Sequence, residues 1–173
     1  MFKDEVLDRL DVAIRKTNET LAASPLAGKI ITIETDLLPI GTDTNATVWQ
    51  EDGEDNPQFI YRLRIFYITG PAAFETIGVA DITPTMFGEG VYEPFPQVLA
   101  KAYQWVAAQP PDFNLLNVQT LFFKAKGDND TLKMSYNESD LKMYFVKYLR
   151  LAYAISHLPV VDVPRGNINI RNI

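Results

Sequence analysis

The chain has 173 residues, 47% of them apolar and 22% charged, with eighteen Phe and Tyr, which fits one globular domain with a sizeable core and excludes a disordered chain. It has no cysteine and a single histidine, so disulfides, thiolate metal sites, Cys nucleophiles and multi-histidine metal sites cannot be built from one copy. Net charge is −6, with seven basic against sixteen acidic residues up to position 100 and nine against six beyond it, and this balance disfavours a basic nucleic-acid binder. The asymmetry suits head-to-tail contacts between copies, and it equally suits surface charges that cluster by chance.

Met1 to Asp11 carries four acidic residues, unlike a secretory signal, so no signal peptide is expected. No apolar run reaches the ~18 to 20 residues that span a bilayer. The Asn-x-Ser/Thr triplets at Asn18, Asn45, Asn129 and Asn137 then read as chance matches. Phe2 to Ala23 has the three- and four-residue apolar spacing of an amphipathic helix (Phe2, Val6, Leu10, Ala13, Ile14, Leu21), which Ser24-Pro25 ends. Lys29 to Thr35 and Thr44 to Glu51 alternate as strands, and the acidic stretch Glu51 to Pro57 forms a turn.

Gln58 to Ile68 is the clearest strand. Phe59, Tyr61, Leu63, Ile65 and Tyr67 fall on one face, and Ile60, Arg62, Arg64, Phe66 and Ile68 on the other. Arg62 and Arg64 are expected to pair with acids at an edge. The simplest arrangement of these three strands is an antiparallel meander.

Residues 69–96 are broken by Gly and Pro yet keep Phe74, Ile77, Met86, Phe87 and Tyr92. They read as a long irregular arm and a candidate docking surface, in which one further strand fits at Glu75 to Ile82. Gln97 to Gln109 is a short helix between Pro96 and Pro110-Pro111. Leu115 to Lys124 and Thr131 to Tyr136 read as a hairpin. A helix capped at Ser135 or Asn137 follows to about Ser156, with Leu141, Phe145, Tyr148, Ala152 and Ile155 as its buried stripe.

From Leu158 the tail is extended, with strand character at Ile168, Ile170 and Arg171 and a basic Arg165. Ordering it costs about what burying its Val and Ile returns, so it orders only at a sheet edge, its own or a neighbour's. The fold class expected is therefore α+β: a mostly antiparallel sheet of about five strands packed by two or three helices. One domain occupies 1–157, and 158–173 is the tail.

Chemistry is hard to assemble from these residues. His157 is placed at the end of the last predicted helix, where a cation interacts favourably with the helix terminus. A Ser-His-Asp triad lacks a Gly-x-Ser-x-Gly elbow, and Gly88-Glu89-Gly90 lacks the third glycine of a dinucleotide loop. Glu51, Asp52, Glu54 and Asp55, and Asp128-Asn129-Asp130, are turn residues that a divalent cation could also use, without the full calcium-loop pattern. No catalytic, cofactor or metal residue is assigned, and no small-molecule substrate, specific nucleic acid or membrane is expected as partner.

The expected order is helix, three strands, arm, helix, two strands, helix, tail. It resembles two families in topology alone: secretion effector chaperones, and the neck and tail-terminator proteins of long-tailed phages. The second resemblance implies a non-enzymatic subunit of a virion, found there or in the host cytoplasm, that binds copies of itself and neighbouring structural proteins. Phe74, Ile77, Met86, Phe87, Tyr92, Arg165, Ile168, Ile170 and Arg171 are then the expected interface. The first implies instead an acidic dimeric adaptor that holds an extended peptide.

Overall fold

The computed structural model describes residues 9–39, 58–88, 91–125, 135–137, 144–157 and 168–172. In chain order these form α1 (Leu10–Ala23), β1 (Gly28–Pro39), β2 (Gln58–Thr69), β3 (Glu75–Ile82), β4 (Met86–Gly88), β5 (Val91–Tyr92) and α2 (Phe95–Ala107). β6 (Phe113–Ala125), β7 (Ser135–Asn137), β8 (Tyr144–Ser156) and β9 (Ile168–Asn172) complete them. All strand pairs are antiparallel and the fold is α+β.

The first sheet is built on β2, as its alternation requires. β1 pairs along one side of β2, with a bulge between Ile30 and Thr32. The other side is filled in two pieces, β7 opposite Gln58–Ile60 and β9 opposite Arg64–Ile68. β1 and β2 are direct neighbours, so no strand lies between them as a three-strand meander would require; Thr44 to Glu51 falls outside the described residues. The strand at the end of the tail finds an edge of its own chain. Leu63 and Ile65 are buried with Ile30 and Ile33 against Ile77 and Ala152 of the second sheet, and Leu21 and Leu26 close this core. On the opposite face of β2, Arg62 and Arg64 both pair with Asp36, at 2.6 and 2.9 Å, as the sequence suggests.

The second sheet has the order β3-β8-β6, and here two expectations fail. Tyr144–Ser156 is a strand, not the end of a helix. β8 is the central strand, with Tyr148, Arg150, Ala152 and Ala154 buried on one face and Leu149 and Leu151 buried under Val98 and Ala102 of α2 on the other. A strand covered on both faces loses its alternation, and its apolar run then also satisfies helical spacing. Second, β6 pairs with β8, and Ser135–Asn137, part of the strand expected to be its hairpin partner, pairs with β2. The further strand fitted within the arm at Glu75–Ile82 is present, and it pairs along its whole length with β8. His157 consequently follows a strand, and its ring hydrogen-bonds Thr76 across the sheet instead of capping a helix.

A polar row fastens the two sheets together. Asp81, Arg150 and Gln119 lie opposite one another across β3, β8 and β6. Arg150 is 0% exposed and donates from Nε and Nη2 to the two Asp81 oxygens at 2.8 and 2.7 Å, a bidentate pair. Its Nη1 reaches Thr35 Oγ1 of β1 at 3.4 Å. Gln119 accepts from the Thr35 N–H at 2.9 Å and donates to the Thr35 carbonyl at 3.1 Å.

Side chains also bond backbone groups along the edges of β1 and β3. On β1, Ile30 N–H donates to Glu75 Oε2 at 2.8 Å, and the Ile33 carbonyl accepts from Asn117 at 3.3 Å. On β3, Asn18 of α1 accepts from Ile77 N–H at 2.8 Å and donates to its carbonyl at 2.9 Å. A side-chain amide carries the same donor and acceptor as a peptide, so Gln119 and Asn18 each replace one residue of a missing strand.

Asp81→Ala removes the carboxylate that faces a buried guanidinium and is expected to cost about 3 to 5 kcal/mol. Glu19→Ala, in the exposed Arg15–Glu19 pair at 2.9 Å, should change stability by about 0.3 to 0.5 kcal/mol. Urea unfolding midpoints of the two variants check this contrast. A second pair separates strand from helix. Phe145, expected in the core of a helix, is 61% exposed while Leu151 is buried. Phe145→Ala should therefore alter stability by less than about 0.5 kcal/mol, and Leu151→Ala should cost about 2 to 5.

Candidate interaction surface

Among the described residues, two groups of exposed apolar side chains stand out. The first is the β4–β5 hairpin. Glu93 N–H donates to the Thr85 carbonyl and Thr85 N–H to Glu93 Oε2, both at 2.9 Å. Lys101 of α2 donates to Thr85 Oγ1 at 2.8 Å and to Glu93 Oε2, so the base of the hairpin is tied to the helix. The hydrogen bond from Lys101, with that from Thr85 N–H, holds the Glu93 carboxyl below the usual carboxylate range. Tyr92 packs inward against Phe123, Val146 and Tyr148, while Met86, Phe87 and Val91 face solvent, Phe87 with 67% of its surface.

The second group is a strip along β6. Three strands make this sheet wider than one helix, and α2 packs on β8 and β3. Leu115, Val118 and Phe122 on the same outer face of β6 stay exposed, as do Phe145 of β8 and Leu99 and Tyr103 on α2. Lys147 lies between the two elements, 5.1 Å from the Phe95 ring and 5.7 Å from that of Phe122. Trp105 closes the far end against Phe113 and Tyr153. The Tyr153 ring occupies the space over Gly78, where any Cβ would stand 2.3 Å from it.

Of the residues singled out from sequence, Met86 and Phe87 are brought together on the hairpin, and Phe74 is exposed. Phe74 also has φ of 44°, uncommon for a bulky residue. Tyr92 is half-buried as the anchor of the hairpin. Ile77 is not available to a partner, because it is 3% exposed and its backbone is held by Asn18. Ile168, Ile170 and Arg171 lie on β9 with their backbone opposite β2. Arg165 lies outside the described residues, as do the acidic turns at 51–55 and 128–130.

The β6 strip was missed because a hairpin assigned to β6 and a helix assigned to β8 hid their common face. The signal for it was the alternation of Val118, Thr120 and Phe122 with Asn117, Gln119 and Leu121. Among the described residues, no group of three or more His, Asp or Glu could hold a metal ion, and no helix is long and apolar enough to cross a membrane. Comparison with family models, curated proteins and solved structures finds no match.

Beside Phe74, a shallow cavity is lined by Leu21, Leu26, Gly28, Ile30 and Glu75. Burial raises the Glu75 pKa above 4.5, against the opposing effects of the Ile30 hydrogen bond and Lys29. The folded protein therefore holds this proton more tightly than the unfolded chain. The stability contributed by Glu75 should rise as pH falls through the raised value and level off near the unfolded value of 4.5. Glu75→Gln keeps an oxygen for the Ile30 N–H and removes the buried charge. Its thermal midpoint relative to the native chain should be highest at neutral pH and decline towards pH 4.5, as melts across that range would show.

Proposed function

We propose that this chain is a non-enzymatic assembly subunit that joins copies of itself and neighbouring proteins, in the manner of the neck and tail-terminator subunits of long-tailed phages. The observation that carries this proposal is the β4–β5 hairpin, whose Met86, Phe87 and Val91 are exposed while its base is clamped by Thr85, Glu93 and Lys101. A rigid apolar projection loses little freedom when a partner covers it, which is how a docking element gains affinity. Among the described residues, three of the groups suited to chemistry are engaged in structure instead. Asp81 holds Arg150, Glu75 holds the β1 edge, and His157 bonds Thr76.

Light scattering of the full chain over a concentration series tests this role. A mass above that of one chain is expected, and Phe87→Asp should reduce higher assemblies while leaving the thermal midpoint within the range of a surface substitution. A single-chain mass at every concentration would contradict self-assembly.

A further inference from the structure

We propose that β6 is the seam of a two-fold dimer, in which it pairs antiparallel with β6 of a second copy to make one continuous six-stranded sheet. The inference rests on the chain being an assembly subunit and names the edge through which it pairs.

The three strands that end a sheet alongside the core differ in one respect. On β1 the outward backbone groups of Ile30, Ile33 and Thr35, and on β3 those of Ile77, are taken by Glu75, Asn117, Gln119 and Asn18. Among the described residues, neither a strand nor a side-chain amide does the same for β6. Ser156 N–H donates to the Asp112 carbonyl at 3.2 Å, which fixes the alternation along the β6–β8 ladder once the bulge between Leu115 and Asn117 is counted. The N–H and C=O of Val118, Thr120 and Phe122 then point away from β8. A row of such groups is complementary to another strand edge and to little else.

Charge and size favour a second copy as the occupant. Phe113–Ala125 has a single charged residue, Lys124, near one end. Antiparallel pairing about the middle of the strand sets each Lys124 beside Asn114 of the other copy, so no like charges meet. Thirteen residues of strand span about 43 Å, and a sheet with its second layer presents an edge about 20 Å deep. The shared face is then on the order of 900 Å² per copy, close to the ~800 Å² of a standard interface. The pairing also covers the apolar strip, because Leu115, Val118 and Phe122 of both copies form one floor between the two α2 helices. An isologous contact of this kind closes on itself and leaves both hairpins free for other neighbours.

The test compares the native full chain with Val118→Lys and Thr120→Pro by light scattering. Val118→Lys sets like charges near the two-fold axis. Thr120→Pro deletes an outward N–H without touching the β8 ladder. The native chain should have twice the mass of one chain or an even multiple of it, and each variant half the native mass. Because the chain has no cysteine, the double variant Val118→Cys/Thr120→Cys adds a second readout: the register sets position 118 opposite position 120 of the other copy, and mild oxidation should link two chains. A native oligomer whose mass both variants leave unchanged, with no linked chains, would overturn the β6 seam and leave the assembly role standing. A native monomer would overturn both.

Discussion

The constraint on which this fold depends is the charge of Arg150, placed at the centre of the central strand and sealed from solvent. A buried guanidinium is tolerated only with a carboxylate opposite and its other hydrogens satisfied. Asp81 can meet it because β3 pairs with β8 in the one register that sets the two residues side by side. A shift of β3 by one residue would turn Asp81 to the outer face under α2 and leave an apolar residue against the guanidinium. The pair therefore fixes a register, and through Thr35 and Gln119 it also fixes where β1 crosses the second sheet.

That crossing decides which edges of the molecule are open. Bringing β1 over β6 allows Asn117 and Gln119 to satisfy its backbone, and packing α1 beside β3 allows Asn18 to do the same there. These are protective arrangements, since an unsatisfied edge recruits other strands. The contrast with β6 follows from the same geometry. Its inward amides are spent on β1, its outward backbone faces away from every described strand, and its outer face extends past the width of α2. Exposed apolar side chains collect where the helix stops, and the hairpin before α2 adds a second projecting group held by Glu93 and Lys101.

Much of the first sheet was legible in the sequence. A strand with one core face alternates, and Leu63, Ile65 and Tyr67 behave as their spacing demands. The pairing of Arg62 and Arg64 with an acid was legible for the same reason. The assignment of β8 in the second sheet was not, because β8 has Leu149 and Leu151 under a helix on one side, and on the other Ala152 against the first sheet and Tyr148 buried with Phe123 and Tyr92. Periodicity carries no information when both faces are buried. The strand at Glu75–Ile82 was legible within a stretch that Gly and Pro otherwise break, and Gly78 lies in it, where it makes room for the Tyr153 ring. Half of the candidate surface was visible as Met86 and Phe87 in a Gly-rich stretch. The β6 strip depended on knowing which strand β6 pairs with, and a single sequence does not specify a partner 20 to 40 residues away.

The most direct measurement is amide hydrogen exchange of Val118, Thr120 and Phe122 at two protein concentrations, with Ile77 and Thr35 as internal references. Ile77 and Thr35 donate to Asn18 and Gln119 within one chain, so their protection should not depend on concentration. The three β6 amides should be protected in concentrated protein and exchange faster on dilution, as a seam between copies requires. Protection of all three that is equally strong at high dilution would contradict the account, because it would mean that the same chain already covers this edge.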